Sequence, residues 1–286
     1  MAKGKELKTR IKSVENTRKI TKTMEMVATS KMKRAQDRVA AARPYADALR
    51  DVIANLYTPE LAEKFPLLRQ PAQIKRAAVI LVTGNRGLAG AFNANLIKEA
   101  RATLARLEGE GVAVEVHAVG KKGLGYFRYI NRSVATSRTD IGDRPTADQA
   151  AEIVNELMRK FATKELDAVH IIFPNFKSVL SAPPATVQIL PVTPPESKGK
   201  QLDYILVPDA ETILGALLPL YVRNSVYRAL VEMTAAFFAS QRTAMKNATD
   251  NATDMLKVLN RTYNRARQAS ITQEIAEIVG GAAALE

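Results

Sequence analysis

Proline placement is the feature that most constrains this chain. The first 43 residues contain none, and none follows Pro219; eleven of the thirteen lie between Tyr57 and Asp209. Proline removes a backbone donor and breaks helix interiors, so the two ends are free to form long helices and the middle is cut into short elements. The N-terminal end carries a heptad. Met32, Ala35, Val39, Ala42, Ala46, Leu49, Ile53 and Leu56 follow alternating steps of three and four, the spacing of a coiled-coil seam. The same phase runs back through Leu7, Ile11 and Val14, but its middle falls on Arg18, Thr21, Glu25 and Ala28, while Ile20, Met24 and Val27 lie off phase. Pro44 is expected to kink this helix without ending it.

The C-terminal end repeats the pattern, with a seam read at Met245, Ala248, Ala252, Met255, Leu259, Ala266 and Ala269, interrupted by Thr262. Asp209 is the expected N-cap of this second helix. The middle alternates strands (77–83, 112–119, 168–173 and 185–190) with helical patterns (93–108, 121–130 and 146–163), which predicts a parallel sheet with an antiparallel edge after residue 174. The fold class is therefore α/β: a long antiparallel coiled coil of N- and C-terminal helices plus a Rossmann-like α/β middle domain. The domains are 1–57, 75–207 and 209–286. If the two helices pair antiparallel, the first reaches about residue 264 of the second. The apolar stripe Ile271, Ile275, Ile278 and Val279 is then left without cover from its own chain.

Charge narrows the partners. Formal net charge is +13, and residues 1–57 hold fourteen Lys and Arg against six Asp and Glu. Such a basic element suits an acidic partner, whether protein, lipid or nucleic acid, and also suits a solvated face. There is no Cys, so neither a disulfide framework nor thiolate chemistry is open to the chain. His117 and His170 are the only histidines, which argues against a His-based metal cluster; both sit on apolar strands and read as core or sheet-edge residues. No secretory signal is read at MAKGKELKTR, and the longest fully apolar run, residues 77–82, is far short of a membrane span; these point to a soluble intracellular chain.

Two glycine-rich turns invite a phosphate-binding reading. TGNRGLAGAFN, residues 83–93, has its glycines at 84, 87 and 90; VGKKGLGYF has them at 120, 123 and 125. Neither matches the GxGxxG fingerprint or the GxxxxGK loop, so both read as tight strand-to-helix turns. No catalytic site and no cofactor site is expected.

Three stretches carry a family resemblance. MEMVATSKMKRAQDR at 24–38, TGNRGLAGAFN at 83–93, and YNRARQASITQEIAEIVGGAAAL at 263–285 resemble the gamma subunit of bacterial F-type ATP synthase, in order and from end to end. The resemblance implies a non-catalytic rotor shaft. It would turn inside a ring of alpha and beta subunits, and couple proton flow through the c-subunit ring to the catalytic beta subunits, with the epsilon subunit beside it. It also implies a place on the cytoplasmic face of the bacterial membrane, reached through the complex, and no nucleic-acid partner. Met24, Lys31, Lys33 and Arg34 would meet an acidic lever segment of beta. Arg267, Gln268, Thr272, Gln273 and Ile275 would meet the loops and apolar collar of the ring, and Tyr204 and Pro208 would lie near the c ring. Ala89 stands where many relatives carry Cys, and the cysteine-bearing insertion of plastid relatives is absent, so thiol control is excluded. Two rivals remain at this stage: a basic coiled-coil nucleic-acid binder, and a nucleotide-binding enzyme built on the middle domain.

Overall fold

The computed structural model describes residues 2–57, 59–193 and 209–283. The elements run in the order α1 (Ala2–Leu56), α2 (Pro59–Lys64), a 3-10 turn (Pro66–Leu68), β1 (Arg76–Val82), α3 (Phe92–Gly109), β2 (Ala113–Val119), α4 (Lys121–Tyr129), β3 (Thr136–Arg138), α5 (Ala147–Ala162), β4 (Ala168–Pro174), β5 (Pro184–Leu190) and α6 (Ala210–Ala283). They form two compact units. One joins α1 up to Thr29 with α6 from Gln241 onward; the other comprises residues 30–240.

In the first unit the two helices pair antiparallel. Thr21 meets Thr249 through a 2.8 Å hydroxyl hydrogen bond, while Leu7 and Lys8 share a groove with Thr262, Tyr263 and Ala266. The heptad phase of α1 holds through its polar middle: Thr21 and Ala28 are buried, and Ile20, Met26 and Val27 face outward. Thr21 can occupy the seam because its hydroxyl is satisfied there, by Thr249 and by the Arg18 carbonyl.

The seam of α6 differs from the expected one. Met245 and Ala252 are buried as predicted, but Leu256 (6% exposed) fills the position assigned to Met255 (48% exposed). Thr249 and Tyr263 are half-buried and line this face in place of the expected Ala248, also half-buried, and Thr262, exposed; Ala269 is exposed where Ser270 is half-buried. The two stripes share every second position and differ by one residue at the others. The Thr21–Thr249 hydrogen bond selects the observed one.

In the second unit α1 continues through Pro44 and buries Met32, Ala35, Val39, Leu49, Ile53 and Leu56. The five-stranded sheet has the order β3-β2-β1-β4-β5, with β5 antiparallel to β4 and every other pairing parallel. The central strand β1 is completely buried from Ala77 to Val82, as expected for a strand covered on both faces. On α5, Ala150, Val154, Leu157, Met158 and Phe161 make the buried stripe, and Thr146 with Gln149 closes a capping box at its start. Asp209 caps α6 as predicted, accepting from the Thr212 backbone N–H at 2.7 Å. His117 and His170 are buried at 4% and 7% exposure, and burial lowers the pKa of each imidazole.

The observed seam sets an expectation. Leu256→Ala should cost roughly 2–5 kcal/mol of stability, the usual range for a buried leucine. Met255→Ala should stay within about 0.5 kcal/mol, as surface changes do. Urea unfolding of the two variants of the full chain decides between the stripes.

Candidate functional site

Both glycine turns sit at the carboxyl ends of parallel strands, where open α/β sheets bind ligands. Here the chain occupies that position itself. Gly120 has φ +98°, and a Cβ there would lie 2.1 Å from the Thr83 carbonyl oxygen, so only glycine lets β2 turn into α4 against β1. The first donors of α4 are all taken by the other turn. The Lys121 N–H donates to Asn85 Oδ1, Lys122 N–H to the Gly84 carbonyl, and Gly123 N–H to Thr83 Oγ1. A helix N-terminus binds phosphate through free N–H groups, and none of these three is free. Asn85 also donates to the carbonyls of Thr139 and Ile141, which ties a third loop to the pair.

Over this edge lies α6. Phe237 packs on the bare backbone of Gly84, where an added Cβ would meet its ring at 3.0 Å, and stacks edge-on against Phe92 and Phe238. Buried Glu232 accepts from the Phe176 N–H at 2.9 Å, beyond the end of β4, and from Arg228 at 2.6 Å. Beside the aromatic pair a cavity of about 290 Å³ is bounded by Arg86, Asp143, Met233 and Phe238. At its rim Asp143 accepts from Lys31 of α1 at 2.7 Å and from Arg86, while its carbonyl accepts from Arg38 at 2.9 Å. Partial burial raises the pKa of the Asp143 carboxyl, but the hydrogen bonds from Lys31 and Arg86 outweigh it and hold the group below its ordinary value.

The expected contact residues divide into two sets. On α1, Met24 is half-buried, and Lys33 is exposed and paired with Asp37 one turn on. Arg34 is exposed with no acidic partner among the described residues, whereas Lys31 serves Asp143 within its own chain. The basic run is therefore not three equivalent outward charges. On α6, Arg267, Gln268, Thr272, Gln273 and Ile275 are all exposed, as is every residue from Ile271 to Val279. Ile271, Ile275, Ile278 and Val279 are 47–72% exposed, so the apolar stripe has no cover from the described residues of its own chain. The groove beside it, about 690 Å³, is flanked by Lys5, Lys8, Arg265 and Arg267. Tyr204 and Pro208 lie outside the described residues. Arg38, Arg86 and Asp143 were not singled out from sequence; they are distant in the chain and no local motif joins them.

Among the described residues no helix is long and apolar enough to cross a membrane, and no group of three or more His, Cys, Asp or Glu residues is placed to hold a metal.

The comparisons agree with one another. The family model described as ATP synthase matches residues 3–285. The ATP synthase gamma chain of Gemmatimonas aurantiaca is 65% identical over the full length of both chains. Those of Leptospira biflexa and Moorella thermoacetica are 42% and 43% identical, again over the full length of both. Among solved structures, a chain of the Tetrahymena thermophila mitochondrial ATP synthase central stalk and c ring is similar, with TM-score 0.61, 26% identity, and coverage of 80% of this chain and 99% of that one. A chain of the Euglena gracilis mitochondrial ATP synthase rotor gives TM-score 0.67 at 19% identity, covering 94% and 99%, which speaks for the fold.

With the donors of α4 satisfied internally, calorimetry with ATP or NAD should show no stoichiometric binding to the free chain at micromolar concentration. Stoichiometric heat displaced by phosphate would contradict the internal capping of α4.

Proposed function

The chain belongs to the ATP synthase gamma-chain family, and we propose that it acts there as the rotor shaft, coupling ion flow through a membrane ring to the catalytic sites of the surrounding subunits. It is a non-catalytic gamma subunit. The observation that carries the shaft reading is the bare tip of α6. Four large aliphatic side chains in the span 271–279 stand in water, although burying each would be worth roughly 1.5–3 kcal/mol. An isolated helix of that length is marginal, so a surrounding sleeve is the physical requirement. A ring of alpha and beta subunits supplies one. The epsilon subunit and the c ring are the partners expected at the other end, by analogy with the central-stalk relatives. The membrane attachment is peripheral, and we place it on the cytoplasmic face. A nucleic-acid-binding coiled coil finds no support in these relatives.

Within this reading Met24 and Arg34, with Lys33 beside them, meet an acidic segment of the ring. Arg267, Gln268, Thr272, Gln273 and Ile275 meet its upper loops. Tyr204 and Pro208 face the c ring. Arg34 is the strongest candidate for an intersubunit charge contact on α1, since Lys31 and Lys33 already have carboxylate partners.

Two measurements test this. Lys33→Glu with Arg34→Glu should lower coupled ATP synthesis while assembly survives, because exposed pairs are worth only about 0–1 kcal/mol each. Unchanged synthesis and hydrolysis would remove the assignment. Amide exchange should be fast from Ile271 onward in the free chain and slow in the complex; strong protection in the free monomer would refute the sleeve.

A further inference from the structure

We propose that Asp143 is a positioning residue for torque transfer: with Lys31, Arg38 and Arg86 it latches α1 and α6 to the carboxyl edge of the sheet and fixes their angular register. This rests on the rotor reading above.

Four elements meet around Asp143: its carboxylate accepts from Lys31 and Arg86, and its backbone carbonyl from Arg38. Lys31 and Arg38 come from α1, Arg86 from the loop after β1, and Asp143 from the loop after β3. The fourth element is α6, whose aromatic rings lie beneath the cations. The Lys31 ammonium is 5.4 Å from the centre of Phe238, and the Arg86 guanidinium is 5.8 Å from those of Phe237 and Phe238. Each cation thus bonds one loop and covers a ring on a helix.

The division of labour follows from the physics. Apolar packing of Phe237 on Gly84 and Phe92 holds α6 to the sheet, but the hydrophobic effect is non-directional and resists sliding poorly. Charge-assisted hydrogen bonds are directional and short, so they define an angle as well as a distance. A rotor needs both, because torque loads this joint in shear. Among the described residues Asp143 is also the sole acidic partner of Lys31 and Arg86, so removing it leaves them without their shared anion.

The test uses the whole complex reconstituted in vesicles, comparing ATP hydrolysis with ATP-driven proton pumping. Asp143→Ala and Asp143→Asn should keep hydrolysis within twofold of wild type and lower the protons pumped per ATP at least threefold. The chain has no Cys, so Lys31→Cys with Asp143→Cys gives a unique pair. Joining it with a short bismaleimide should restore the pumping ratio, and the unjoined pair should not. A wild-type pumping ratio in both Asp143 variants, or no recovery on joining, would overturn the latch. If Asp143→Ala fails to assemble, Asp143→Asn and the joined pair decide. Absence of ATP-driven pumping in the wild-type complex would count instead against the rotor reading.

Discussion

The close approach of Phe237 to the backbone of Gly84 is the contact on which the rest of the sheet-bearing unit depends. A doubly wound sheet leaves a crevice at the carboxyl ends of its strands, and relatives of that architecture fill it with a ligand. Here a helix fills it. With α6 seated there, the loops after β1 and β3 have a fixed floor, and Asn85 can bind both α4 and the third loop. The turn that opens α4 is closed because the chain has used its donors for itself. A binding fold has in this way become a mounting for a helix.

The two ends of α6 place opposite demands on sequence. Around residues 226–239 nearly every side chain is buried, where the helix lies over the carboxyl edge of the sheet, with Phe237 on Gly84 and Glu232 on Phe176, and beside Lys31 of α1. Beyond Gln241 only a narrow seam is buried, and beyond Ser270 no described side chain is. A narrow seam of Thr, Ala and Leu is enough where a single helix provides cover. The apolar residues after that point have a use only in an assembly.

Much of this was legible in the sequence because the signals were periodic or punctuated. The strand-helix alternation gave every element of the sheet except β3, whose three residues, Thr136–Arg138, are too few to alternate and exist through pairing with β2. The seam of α6 was misread at one of its two interleaved sets because Met255 and Leu256 are both apolar and adjacent. Periodicity cannot choose between neighbours, and the choice came from the hydroxyl of Thr21 on the other helix. The unequal roles of Lys31 and Arg34 were also hidden, since Asp143 lies more than a hundred residues from Lys31. The tight strand-to-helix turns were legible from their spacing, but the capping of the first α4 donors by Thr83, Gly84 and Asn85 of the other turn is a tertiary fact.

The seam of α6 also constrains how a chain like this one can change length. Adding one residue between Met245 and Tyr263 would rotate every later side chain by about 100° and advance it about 1.5 Å along the axis, turning Tyr263 and Ala266 away from α1. Steps of seven return the same face, so gain and loss of residues in this stretch are confined to a coarse ruler. Surface loops of the sheet, such as the two-residue tip at Val179 and Leu180, are under no such count. Related chains should therefore differ in length in their loops while the paired stretch of α6 keeps its number.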